Sequence, residues 1–112
     1  MNLNLERSGL EGSAPIFDAL GDRTRLRLVA RLSRSGPQSI TQLTRGSSLT
    51  RQAITKHLRV LADAGLAHGT RLGRESRWEL KRKQLAVARR YLELVSKRWD
   101  FALDRLKKFV EE

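Results

Sequence analysis

The chain has no cysteine, so neither a disulfide framework nor a thiolate metal site can be built from it, and redox sensing through sulfur is excluded. It also has no apolar run near the roughly 20 residues needed to cross a bilayer. Its first fifteen residues mix Leu3 and Leu5 with Glu6, Arg7 and Glu11 and lack the continuous apolar stretch of a secretory signal. No membrane insertion is expected, and the expected location is cytoplasmic. Acidic residues are scarce as well: 12 Asp and Glu stand against 23 Lys and Arg, for a formal charge of +11. An excess of that size attracts polyanions with an affinity that weakens as salt rises, which makes nucleic acid the expected partner. At 112 residues the chain can bury one modest core but not two, which argues for a single domain and against an elaborate enzyme.

Residues 1–13 contain Gly9, Gly12 and two serines with little apolar material to anchor them, and they are expected to form a flexible arm. Order is expected to begin near Ala14. Ile16, Phe17 and Leu20 recur at helical spacing up to Gly21, and Asp22 is placed to cap a second helix whose stripe reads Leu26, Val29, Ala30 and Leu32. Gly36-Pro37 stops it. From Ser39, the pair Ile40 and Leu43 predicts a short helix ending at Gly46, then a polar turn at Ser47-Ser48 and a new helix capped by Thr50. In that helix Ile54, Leu58 and Leu61 share one face, with Arg51, Gln52, Thr55, Lys56 and Arg59 opposite. Gly65 ends it. Residues 66–72 and 76–80 flank Gly73-Arg74 as a β-hairpin, with Ser76, Trp78 and Leu80 inward and Arg77 and Glu79 outward. These assignments give an expected core of Phe17, Leu28, Ile54, Leu58 and Leu61.

Between Arg51 and Arg90 eleven basic residues face only Asp63, Glu75 and Glu79, so most of the charge excess falls on the second helix of the pair, the hairpin and the segment from Lys81 to Arg90. An α-helix fits the major groove of B-DNA, where Arg pairs with guanine and Gln with adenine through two hydrogen bonds each. Arg51 and Gln52, in the leading turn, are therefore the candidate base readers, with Thr55 able to bond a base or touch a thymine methyl. Thr50, Lys56 and Arg59 are candidates for phosphate contacts. Arg71, Arg74 and Arg77 of the hairpin are candidates to clamp a neighbouring backbone or enter the minor groove.

Three stretches of the chain carry a specific resemblance. Leu20-Gly21-Asp22-Arg23-Thr24-Arg25-Leu26-Arg27-Leu28 resembles the Leu-Ala-Asp-Pro-Thr-Arg opening of ArsR-family winged-helix repressors. Thr50-Arg51-Gln52-Ala53-Ile54-Thr55-Lys56-His57-Leu58-Arg59-Val60-Leu61 is similar to that family's Ser-Gln-Pro-Ala-Val-Ser-Lys-His-Leu-Lys-Val-Leu recognition helix, and Ala64-Gly65-Leu66 matches the residues leading into its wing. The resemblance implies a mainly α, winged helix-turn-helix fold and a homodimeric repressor that binds double-stranded DNA at a palindromic operator. The chain departs from the family pattern at Arg23 and Gln52, where proline is common, and at Ser47, where an apolar residue is common. The Arg23 and Gln52 changes alter the surface, so the resemblance does not carry an operator sequence with it.

Members of that family often sense metals through a cysteine pair or through His and Asp on the last helix, and neither set is present here. His57 and His68 have no HxxH-type spacing, and metal sites need three or four convergent ligands. No metal, no cofactor and no effector is assigned. Gly69-Thr70-Arg71-Leu72-Gly73-Arg74 lacks the spacing of a dinucleotide or P-loop motif, and no enzyme activity is expected. Trp78 and Trp99 read as core or interface residues.

From Lys83 onward Leu85, Ala88, Leu92, Val95, Trp99, Ala102, Leu106 and Phe109 form one unbroken apolar seam at spacings of three and four, widened by Tyr91, Leu94, Leu103 and Val110. The helix they predict would be about 43 Å long, more than a domain of this size needs to cover its own core. The seam is therefore the candidate dimer interface. The organisation read from sequence is an arm at 1–13, a winged helix-turn-helix region at 14–82 and a dimerisation helix at 83–112. Two other readings stand beside DNA regulation: a winged-helix protein-interaction module and an RNA-binding winged helix. The A-form major groove is too deep and narrow for leading-turn base contacts, which favours duplex DNA.

Overall fold

Three helix starts in the middle of the chain are set by oxygen-bearing side chains that satisfy backbone donors a helix leaves unpaired. Asp22 accepts from the Arg25 N–H and Thr50 from the Ala53 N–H, while Ser39 and Gln42 cap one another reciprocally. The computed structural model describes the backbone of residues 3–111 and the side chains of residues 11–111. In chain order the elements are α1 (Leu3–Leu20), α2 (Arg23–Ser35), β1 (Gln38–Ser39), α3 (Ile40–Thr44), α4 (Arg51–Asp63), β2 (Ala67–Leu72), β3 (Glu75–Leu80) and α5 (Arg82–Glu111). At the end of α4, Gly65 takes the left-handed conformation (φ 76°) that lets the Leu66 N–H bond back to the Leu61 carbonyl.

The strands form one antiparallel sheet in the order β1-β3-β2. Leu72 pairs with Glu75 across a two-residue turn, Gly73-Arg74, in which Gly73 alone has positive φ. That is the type II′ pattern, and it suits the twist of the flanking strands. Gly69 pairs with Trp78, and a Cβ at Gly69 would lie 3.1 Å from the indole. Glycine there lets the ring lie close across the neighbouring strand, and a larger residue would press the indole aside by a few tenths of an ångström. Around this frame Ile16 and Ala19 of α1, Leu28 and Leu32 of α2, Leu43 of α3, and Ile54, Leu58 and Leu61 of α4 close one core with Leu66, Ala67 and Ala88.

Four features differ from the sequence reading. Residues 3–13 are helical instead of forming an arm, in continuation with the rest of α1; Met1 and Asn2 lie outside the described residues. The reason is tertiary: α1 lies along α5, with Phe17 and Tyr91 rings 6.2 Å apart and Ser13 fully buried. Helical Gly12 and Pro15, which weaken an isolated helix, are tolerated because that packing supplies the stability. Second, Leu28 and Leu32 of α2 are buried as the expected core and stripe have them and Val29 is half-buried, but Leu26 and Ala30, expected in the stripe, face outward. Both pairs are spaced by four, so periodicity alone does not choose between them. Third, the hairpin gains a third strand, since Gln38 and Ser39 pair with Trp78 and Arg77. Fourth, the α5 seam is divided: Ala88 is buried in this chain's own core and Leu85 packs against it.

The remainder of α5 runs past the domain. The radius of gyration is 18.5 Å and the extents are 67 × 28 × 20 Å, whereas a compact chain of this length would have a radius near 13 Å. No helix among the described residues is long and apolar enough to cross a membrane.

Candidate nucleic-acid interface

Helix α4 is amphipathic in a way that sorts its chemistry. Ile54, Leu58 and Leu61 are buried, while Arg51, Gln52, Lys56 and Arg59 are exposed, with Thr50 exposed at the cap. The apolar anchor thus turns a guanidinium, an amide, an ammonium and a second guanidinium outward. Thr55 is half-buried, and its hydroxyl donates to the Arg51 carbonyl at 2.8 Å. That bond leaves the Thr55 methyl and a lone pair for any contact, not the proton.

Two further arginines and a histidine, none singled out by the sequence reading as DNA contacts, hold this helix and its neighbours in place. Arg31 of α2 donates to the carbonyls of Gln42, Leu43 and Arg45 at 2.5, 3.0 and 3.1 Å, neutralising the carbonyl end of α3 where the chain turns toward α4. Arg25 reaches both ways: Nε donates to the Ala19 carbonyl at 2.6 Å and Nη1 approaches His57 Nδ1 of α4 at 3.4 Å. A guanidinium only donates, so this contact is a hydrogen bond in the neutral tautomer that leaves His57 Nδ1 unprotonated. Asp22 Oδ2 stands 3.9 Å from the same nitrogen. The end of α1, the start of α2 and the middle of α4 meet at this point. At the leading turn, Arg51 Nη1 donates to the hydroxyl of Thr41 in α3 at 2.8 Å. The one sequence signal for Thr41 was its place inside the Ser39–Gln42 capping box, which fixes the turn carrying it.

The Arg25 backbone N–H holds the Asp22 carboxyl below the usual carboxylate range; partial burial opposes this, and the charges of Arg25 and His57 add to it. A lowered folded pKa means that the stabilisation is complete at neutral pH. It begins to fade near the ordinary carboxylate value of about 3.9 and is lost as pH falls through the folded value. Asp22→Asn keeps an accepting cap without the charge. Thermal melts between pH 7 and pH 3 should show wild type more stable at neutral pH, with the difference closing in acid. A difference constant across that range would contradict the assignment.

The wing carries its arginines on two faces. Arg71 pairs with Ser76 and shares the Trp78 side of the hairpin, Arg77 pairs with Thr70 on the other side, and Arg74 sits at the turn. All three are exposed, and Arg71 Nε donates weakly to the Gly73 carbonyl at 3.3 Å. His68 is exposed on β2, apart from His57. Among the described residues no three His, Asp or Glu side chains converge.

Comparison with known proteins agrees with this architecture. A family model described as a helix-turn-helix domain matches residues 20–70, from the end of α1 into β2. The uncharacterized HTH-type transcriptional regulator YuzN of Bacillus subtilis (strain 168) is 45% identical over 65 residues, covering 53% of this chain and 71% of that protein. An ArsR-like transcriptional regulator from Rhodococcus sp. RHA1 matches in structure with a TM-score of 0.76 and 34% identity, over 88% of this chain and 92% of that one. A possible transcriptional regulator for arsenical resistance gives a TM-score of 0.64 and 36% identity, over 81% and 91% of the two chains. With an outward basic helix after a tight turn, an arginine-bearing wing and relatives at 34–45% identity of which the chain covers 71% or more, the chain belongs to the ArsR family of winged helix-turn-helix, DNA-binding transcriptional regulators.

Proposed function

We propose that the chain is a homodimeric repressor that recognises a palindromic operator in duplex DNA. Arg51 and Gln52 read base edges from the leading turn of α4, with Thr55 beside them, while Thr50, Lys56, Arg59, Arg71, Arg74 and Arg77 hold phosphates or the minor groove. The observation that carries the dimer is the uncovered flank of α5. Leu92, Trp99, Leu103 and Leu106 are 54%, 64%, 57% and 59% exposed, although they repeat on one side of a 30-residue helix. Val95 and Ala102 are half-covered. A groove of about 420 Å³ floored by Phe17, Leu20, Leu85 and Leu92 continues the same surface. Apolar surface of this extent on a strongly charged chain marks an association site. A second copy related by a two-fold axis covers like with like and sets two recognition helices in successive major grooves, about 34 Å apart.

Repression results if the bound dimer blocks polymerase. The test begins with an operator selected from a random duplex library by the wild-type protein and placed over a promoter in a purified transcription assay. Transcript should fall as protein is added, and salt should relieve the effect as phosphate contacts weaken. A rise in transcript would overturn the repressor reading. Selected sites without two-fold symmetry would overturn the dimeric one.

A further inference from the structure

A long arginine side chain at the leading turn of a recognition helix normally samples many rotamers before it meets a base. Arg51 does not stand free, because Thr41 accepts its Nη1–H at 2.8 Å. Thr41 is itself braced on both sides. The Ser39–Gln42 box fixes the start of α3, the Thr41 carbonyl accepts from the Arg45 N–H, and Arg31 ties down the three carbonyls at the far end. The hydroxyl occupies one of five guanidinium N–H donors, which leaves a two-donor edge open. A two-donor edge is what guanine O6 and N7 accept.

We propose that Thr41 is a positioning residue for operator recognition: it holds the Arg51 guanidinium in one pose and so raises discrimination between bases without touching a base itself. The proposal rests on the reading of Arg51 as a base reader. Freedom surrendered before binding is not lost on binding, and the gain appears only where a planar fork meets a matching pair of acceptors. A phosphate accepts from almost any pose, so non-specific affinity does not depend on the brace.

The experiment compares wild type, Thr41→Val, Thr41→Ser, Arg51→Ala and the Thr41→Val/Arg51→Ala double variant. Each is titrated with the selected operator, with single-base variants of it and with unrelated duplex, after circular dichroism has shown the native helix content. Thr41→Val keeps the shape of the side chain and loses the acceptor, whereas Thr41→Ser keeps the acceptor. Arg51→Ala should lower discrimination at one base pair by roughly 10- to 100-fold. Thr41→Val should lower it at the same base pair by roughly three- to tenfold, with unrelated duplex bound as before. Thr41→Ser should match wild type, and the Thr41→Val effect should vanish when Arg51 is already alanine. Full discrimination in Thr41→Val beside a loss in Arg51→Ala would overturn the positioning role and leave Arg51 as a reader. Equal losses on operator and unrelated duplex, or a Thr41→Val effect that persists without Arg51, would show Thr41 acting on DNA directly and overturn it too. No loss of discrimination at any base pair in Arg51→Ala would remove the base reader and the brace together.

Discussion

Trp99→Asp is expected to yield a folded monomer that has lost its operator. Trp99 is 64% exposed in the single chain, so a carboxylate there costs the isolated domain little. In a two-fold interface the same carboxylate is desolvated without a partner, at a cost of several kcal/mol. The core around Ile54, Leu58 and Leu61 lies elsewhere, and circular dichroism should be close to wild type. Each monomer keeps its basic helix and wing, so weak binding to any duplex should persist. Operator affinity should fall by roughly 100- to 10,000-fold, because the second half-site is no longer held at high effective concentration. Trp99 is a better probe than Val95, which is half-covered within the chain and would perturb the monomer as well. Sedimentation and operator titration on one sample suffice, and a folded monomer with wild-type operator affinity would break the proposed link between α5 and recognition.

Leu58→Ala is expected to have the largest effect on stability. Leu58 is completely buried on the inner face of α4, so its truncation loses apolar burial and leaves a cavity, together about 2–5 kcal/mol. Against a typical domain stability of about 5–15 kcal/mol, this is a large share, and the melting temperature should drop by roughly 10–20 °C. Leu26→Ala is the matched control. Half of Leu26 is exposed, and a surface truncation of this kind typically stays within about 0.5 kcal/mol. Equal losses in thermal melts of the two variants would mean that α2 does not sit in the register described.

Features with a local cause were legible in the chain before folding was considered. Asp22 and Thr50 are short acceptors ahead of apolar periodic runs, and both cap helices as expected. Gly65 ends α4 for a reason internal to its own φ angle. The outward set Arg51, Gln52, Lys56 and Arg59 is dictated by the spacing of Ile54, Leu58 and Leu61. The hairpin register comes from alternation around a glycine turn.

What local rules left open was settled by which surfaces meet. Residues 3–13 have weak helical material and fold as helix where α5 provides a bed for α1. Leu26 with Ala30, and Leu28 with Leu32, have the same spacing, and the position of α4 decides which pair is buried. Gln38 and Ser39 become a strand only because β3 offers an edge. The α5 seam reads as one stripe, yet Ala88 belongs to the chain's own core while Leu92, Trp99 and Leu106 stand uncovered. The contacts of Arg51 with Thr41 and of Arg25 with His57 join residues 10 and 32 positions apart. Composition and periodicity therefore determined the helix-turn-helix, its basic face and the excess length of α5, since each arises from neighbours within a few residues. Tertiary structure alone decided which apolar flank is spent inside the molecule and which polar groups brace the recognition helix, because those depend on distances between segments that periodicity does not encode.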